Sequence, residues 1–219
     1  MGATDGLGRR VALELAGRGT EVLLHGRRRE LCEAVVGQVR RQTGVEGPHY
    51  YLAELSSLGA VRGLAEQIFS KHDHLELLIN NAGVIAMERE ETEDGLERTF
   101  AVNYLAHFLL TNLLLPLLED STPACVVNVA SAAQAPIDFG DVMLERGYDA
   151  MRAYAQSKLA QVMFSIELAE RIRGTEASTN TLHPATLMDT KMVLKTFGRA
   201  SSRGRRPRCA SPSRRSWKG

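Results

Sequence analysis

Val11, Ala12, Leu15 and Ala16 recur at helical spacing just after a glycine-rich start, and Gly17 and Gly19 end the run. EVLLH at 21–25 then predicts a short buried strand, and Leu31, Val35, Val36 and Val39 mark one side of a second helix. A second strand is expected around His49 to Leu55. Ser56 and Ser57 are candidate N-caps for a helix carrying Leu58, Val61, Leu64, Ile68 and Phe69. LELLIN at 75–80 predicts a third strand, followed by a long helix from about Gly95 to Leu118 and the strand CVVNVAS at 125–131. An irregular segment separates these from a periodic helix over Met151 to Arg173 and a last strand near Ser178 to His183. Apolar strands alternating with amphipathic helices imply a parallel sheet covered on both faces, the doubly wound α/β class, as a single domain over 1–198.

From about Phe197 the pattern stops. Residues 199–219 carry no periodicity and are rich in Arg, Ser and Pro, a disordered composition that reads as a solvated basic tail. Eight of the 27 Lys and Arg and none of the 26 acids lie there, leaving the body with 19 against 26, a formal charge of −7. The body gives no electrostatic reason to bind nucleic acid, and none is expected as a partner. Cys32, Cys125 and Cys209 lie far apart, with no CxxC and no histidine cluster at ligand spacing, so neither a disulfide framework nor a metal site is implied and a reducing, cytoplasmic setting is expected. The most apolar run, 108–118, is interrupted by Thr111, Asn112 and Pro116 and is too short to span a bilayer.

Candidate chemistry begins in MGATDGLG. Gly2, Gly6 and Gly8 form a G-x-x-x-G-x-G turn ahead of a helix, whose N-terminal amides would face a pyrophosphate. Arg27 and Arg28 follow the expected first strand, where an acid would favour free ribose hydroxyls and Arg can pair with a 2′-phosphate, so NADP(H) is favoured over NAD(H). Helix-start arginines exposed to solvent are the plainer reading of the same residues. In YAQSK, Tyr154 and Lys158 are four apart and share a helical face, so the ammonium can lower the phenol pKa toward a value useful for proton transfer. Taken alone, that pair reads equally as a snorkelling surface pair, Ser131 as a strand-end cap and Asn103 as a helix residue bonded to a backbone carbonyl.

The order of these motifs resembles the short-chain dehydrogenase/reductase family from Gly2 to about Gly198: GATDGLG, NNAG at 80–83, Asn103 in FAVNYLAHFLL, VVNVAS ending in Ser131, YAQSK, and HPATLMDT at 183–190. TEDGLERTFAVNYLAHFLL and the long segment between Ser131 and Tyr154 look most like its retinol-dehydrogenase-like branch. The resemblance implies a Rossmann-like fold and an oxidoreductase interconverting an alcohol and a carbonyl of a small-molecule substrate by hydride transfer. Tyr154 would be the acid and base, Ser131 a hydrogen-bond donor to the substrate oxygen, Lys158 a ribose and Tyr154 partner, and Asn103 the holder of a relay water. The implied cofactor contacts are Gly2, Thr4, Asp5, Gly6, Leu7 and Gly8, then Arg27, Arg28, Glu54 and Leu55, then Asn81, Ala82 and Gly83, with Tyr154, Lys158 and Thr190. Homo-oligomer contacts through the two long helices are a further implication.

The sequence also departs from the family. Only Met1 stands before the glycine turn, where the family has a hydrophobic strand and usually a Thr, so the first strand is expected to be missing. Ala185 and Ala106 stand where Gly is usual, and Glu54 where an Asp usually meets the adenine. With the basic tail, these features suggest truncation at both ends and a second reading, a non-catalytic remnant of the fold.

Overall fold

The computed structural model describes residues 1–44, 47–121 and 123–184. Thr190, Ala185 and the tail at 199–219 lie outside the described residues. Helix α1 (Gly6–Gly17) starts at Asp5, whose carboxylate accepts the Gly6 amide at 2.8 Å. Strand β1 (Leu24–Gly26) leads into α2 (Arg29–Thr43), which ends at Gly44 in the left-handed conformation. After β2 (Tyr50–Leu52), helix α3 (Leu58–Phe69) is capped by Ser57, whose hydroxyl accepts the Ala60 amide at 3.2 Å. Strand β3 (Leu77–Asn80) precedes α4 (Arg98–Phe100), a π-helical turn over Ala101–Leu105, and α5 (Ala106–Glu119) in direct succession. Strand β4 (Ala124–Val129), helix α6 (Ala150–Arg171), capped by Asp149, and β5 (Ala177–Leu182) complete the described elements.

All strand pairs are parallel, in two groups, β1–β2 and β3–β4–β5. The lane between β1 and β3 is held by the first three residues: the Met1 amino group donates to the Ile79 carbonyl, and the Ala3 amide donates to the His25 carbonyl at 3.0 Å. The expected gap in the sheet is therefore bridged by a short stretch of backbone. Beside it, β1 and β2 share one ladder of three residue pairs, shorter than the expected strands at 21–25 and 49–55.

The core divides unevenly. The larger cluster packs Leu110, Leu114, Leu117 and Leu118 of α5 against Val61, Leu64 and Ile68 of α3 on one side of the sheet, and includes Val126, Phe164 and Leu168. A smaller cluster of Ala3, Ala12, Leu24 and Val35 lies under the glycine turn. Each fully buried leucine contributes roughly 1.5–3 kcal/mol, so most of the apolar stabilisation sits with α3 and α5. Arg98–Glu119 is continuous over 22 residues and holds an 18-residue window with a mean hydropathy of 1.5, long and apolar enough by composition to cross a membrane, although the run at 108–118 alone is not. In this fold 61% of that window is buried, as in a core helix.

Candidate active site

The glycine turn is built from close approaches. Gly2 has φ +69°, and a Cβ there would lie 2.9 Å from the Ala82 Cα. A Cβ on Gly8 would sit 2.1 Å from the Gly2 carbonyl oxygen and 2.5 Å from Asn81 Nδ2, so only glycine fits. Asn81 Nδ2 donates to the Gly2 carbonyl at 3.1 Å and to that of Met1 at 3.3 Å, tying the loop after β3 to the turn. Thr4 packs over Gly26, and Leu55 is buried in the main core. His25, 6% exposed, completes the support: Nδ1 accepts the Gly2 amide at 3.3 Å and Nε2 donates to the Ala53 carbonyl at 3.1 Å. Burial, aided by the adjacent Met1 ammonium, lowers its pKa to about 4 and keeps the ring neutral. The first-turn amides of Leu7 and Gly8 have no acceptor within the helix and face the space ahead of α1.

At the β1–β2 end, Arg27 Nη1 meets Glu54 Oε2 at 3.3 Å, with both side chains about half exposed. Arg28 occupies the N-cap position of α2 and makes no side-chain cap. The two residues favoured for a 2′-phosphate are thus placed together, one of them already paired with an acid.

The second cluster draws on three helical segments and β4. The π-helical turn carries Asn103, fully buried, whose Oδ1 accepts the Val84 amide at 2.8 Å and whose Nδ2 donates to the Val84 carbonyl at 3.0 Å and to Ser157 Oγ at 3.1 Å. The extra residue of such a turn re-aims the side chains that follow it. Ser131, just past β4, lies beside the Tyr154 phenol of α6, close enough to lower its pKa. Lys158, 3% exposed, lies 5.6 Å from the centre of the Tyr154 ring and donates to the Val129 carbonyl at 2.9 Å and to Gln161 Oε1 at 2.8 Å. A Cβ on Gly83 would fall 3.6 Å from Asn103 Oδ1 and 3.8 Å from Lys158 Nζ, so the loop after β3 meets both residues. Asn80 faces the other way, fully buried, donating to Thr111 and Asn128 within the sheet layer.

The electrostatics depart from expectation at Tyr154. Burial raises its pKa, opposed by the nearby Ser131 hydroxyl, and the Lys158 charge does not offset the rise. Lys158 is itself desolvated, with its pKa lowered to about 7, and its two hydrogen bonds go to neutral acceptors. Desolvation outweighs pairing at both groups.

Ser157, Gln161, His107 and His25 were not singled out from the sequence. The signal for them is a polar residue on a helix or strand face that the apolar pattern assigns to the core. Gln161 lies three residues after Lys158 and His107 four after Asn103, on the same faces.

A model of the short chain dehydrogenases matches residues 1–199. The chain belongs to the short chain dehydrogenase family. It is similar to human retinol dehydrogenase 13, 42% identical over 186 residues that cover 84% of this chain and 56% of that protein. It therefore spans about half the length of that curated relative. Among solved structures, an uncharacterized protein from Mycobacterium paratuberculosis superposes with TM-score 0.73 at 35% identity, covering 84% of this chain and 66% of the other. A short chain dehydrogenase from Escherichia coli CFT073 complexed with NADPH superposes with TM-score 0.73 at 27% identity, covering 90% and 78%. The Rossmann-like α/β fold follows from the parallel sheets and these neighbours.

The residues present fit the dinucleotide that the short chain dehydrogenase fold implies. Gly2 and Gly8 let the turn close tightly against Ala82 and Asn81, and the first-turn amides of the helix it opens have no acceptor within the helix. At the other end, an ammonium offers three N–H groups and Lys158 uses two on protein acceptors.

Proposed function

We propose that this chain is an NADP(H)-dependent oxidoreductase that interconverts an alcohol and a carbonyl, with Tyr154 as the acid and base. The observation that carries the reading is the convergence of Ser131, Tyr154 and Lys158 within one cluster, with Asn103 anchored beside it. When bound, the nicotinamide supplies or accepts the hydride. Tyr154 gives its phenolic proton to the developing alkoxide in reduction and takes it back in oxidation, while Ser131 hydrogen-bonds the same oxygen. Lys158 holds the nicotinamide ribose with its remaining N–H and stabilises phenolate when protonated. Asn103, locked by Val84 and Ser157, fixes the backbone of the π-helical turn against the Lys158 side of the cleft.

Preference for NADP(H) is supported by Arg27 and Arg28 at the α2 start and by the NADPH held in the Escherichia coli neighbour. A retinoid or similarly apolar aldehyde is the substrate class suggested by the retinol dehydrogenase relatives. Thermal unfolding with NADPH, NADH or neither tests the reading. Binding to the folded state alone adds about 2.7 kcal/mol at a hundredfold excess over Kd. A cooperative melt raised more by NADPH than by NADH is expected, and a melt that neither nucleotide moves would overturn it.

A further inference from the structure

We propose that Gln161, itself oriented by His107, is a positioning residue for Lys158: it occupies one N–H of the amine and directs the remaining one toward the cleft beside Gly83 and Tyr154. The inference rests on the proposed oxidoreductase reading for its consequence, though its geometry stands on the fold alone.

Lys158 and Gln161 are one turn apart on α6, at 3% and 0% exposure, and the Nζ to Oε1 distance is 2.8 Å. Val129, at the end of β4, takes a second N–H through its carbonyl at 2.9 Å. A carboxamide can turn either its oxygen or its nitrogen toward the lysine, and the choice decides whether the contact attracts or repels. His107 makes that choice. Its Nδ1 lies 2.7 Å from Gln161 Nε2, and the ring is fully buried on α5, one turn beyond the Asn103 segment.

Burial and the nearby Lys158 hold the His107 pKa well below its ordinary value, so the ring is neutral, and in the tautomer that carries its proton on Nε2, which has no hydrogen-bond partner among the described residues, Nδ1 accepts. The Gln161 nitrogen is then drawn to His107 and its oxygen to Lys158. A flipped amide would set NH₂ against the ammonium and oxygen against the imidazole lone pair. The titratable groups facing Lys158 are Tyr154 on its own helix and His107 on α5, and β4 contributes a neutral carbonyl. A purely apolar face would serve packing as well without burying three polar side chains, which is why the arrangement points to positioning.

The test is the titration of Lys158 in the full chain, read by NMR of side-chain-labelled lysine and assigned with Lys158→Met. The parent midpoint is expected at about 7. Gln161→Leu removes an acceptor from the ammonium and should lower the midpoint by about one unit, a tenfold change in proton affinity. Gln161→Glu should raise it by at least as much, and His107→Leu should shift it in the same direction as Gln161→Leu but less. NADPH affinity, followed by nucleotide fluorescence, should fall about tenfold in Gln161→Leu, the size of one lost charge-assisted hydrogen bond.

Unchanged midpoints in the glutamine variants would overturn the proposal, and an unchanged midpoint in His107→Leu would remove His107 from it. If Gln161→Leu fails to fold, Gln161→Glu decides: a raised midpoint supports the positioning role and an unmoved one overturns it. Midpoints that move as expected in a chain binding neither NADPH nor NADH would leave the positioning intact and sink the dinucleotide reading instead.

Discussion

The two ends of the site each rest on one buried base, and the bases are used differently. His25, under the glycine turn, commits both ring nitrogens to the fold, accepting from Gly2 and donating to Ala53. Lys158, in the proposed catalytic cluster, commits two of three N–H groups and keeps one in reserve. Around His25 the construction is backbone against backbone, with glycines where any Cβ would collide. Around Lys158 it is side chains held against one another and against backbone, drawn from α5, α6, the π-helical turn and the Val129 carbonyl of β4. The first end supplies shape; the second is where the proposed chemistry would be carried out. Substitutions at the two ends should therefore fail in different ways.

The largest effect is expected at the catalytic end. Tyr154→Phe removes the proton donor and leaves the ring that packs beside Lys158, so turnover of NADPH with an aldehyde should fall about 10²–10⁴-fold. NADPH binding and the melting midpoint should stay close to the parent. If both fall along with turnover, Tyr154 is a packing residue and the contrast between the ends collapses.

Gly8→Ala is the matching break at the other end. The new Cβ would meet the Gly2 carbonyl at 2.1 Å, a backbone atom that moves only if the turn moves. Overpacking of this kind costs about 1–3 kcal/mol, visible as a lower urea midpoint, and dinucleotide binding should weaken with it. A variant as stable as the parent, with unchanged NADPH affinity, would show that the close approach is not required.

Titration separates the two bases without mutation. Both have pKa values lowered in the folded state, so in each case the unfolded chain binds more protons over the interval between folded and unfolded values, and stability rises with pH across it. For His25 that interval runs from about 4 to 6.5, so stability should fall as pH drops through it, with buried His107 adding in the same direction. For Lys158 it runs from about 7 to 10.5, so its destabilising contribution is full below pH 7 and declines as pH rises. Urea unfolding at pH 4.5, 7.5 and 9.5 checks both signs. In Lys158→Met the alkaline gain should shrink, and in His25→Asn the acid loss should.

The contrast also explains what could be read from the chain alone. The repeating strands and helices were legible because apolar period and capping residues agreed: Ser57 caps α3 as expected, and α6 spans Ala150–Arg171 against an expected 151–173. The ordered motifs holding Asn103, Ser131, Tyr154 and Lys158 made the short chain dehydrogenase family legible. Three features were not. The five-residue π-helical turn has no periodic signature, because one inserted residue is lost within the scatter of apolar positions. His107 and Gln161 are polar residues on faces that the apolar pattern assigns to the core, and their pairing across α5 and α6 is a long-range contact. The bridging role of Met1–Ala3 is a long-range contact with Ile79 and His25, which local pattern cannot carry.

The smallest effect is the sharpest probe of cofactor choice. Arg27 and Glu54 form a half-exposed ion pair at 3.3 Å, and such pairs contribute about 0–1 kcal/mol, so Glu54→Gln should leave the melt nearly unchanged. Its effect should fall on the ligand. With the acid neutralised, Arg27 no longer divides its charge between Glu54 and a 2′-phosphate, and a nearby phosphate loses a repelling neighbour. NADPH should then bind a few-fold more tightly, within the roughly fivefold that 1 kcal/mol allows, while NADH, which lacks that phosphate, should gain little. Arg27→Ala should reverse the order, weakening NADPH more than NADH. Equal changes for the two nucleotides would place the 2′-phosphate away from this pair and move the selectivity to Arg28, at the start of α2.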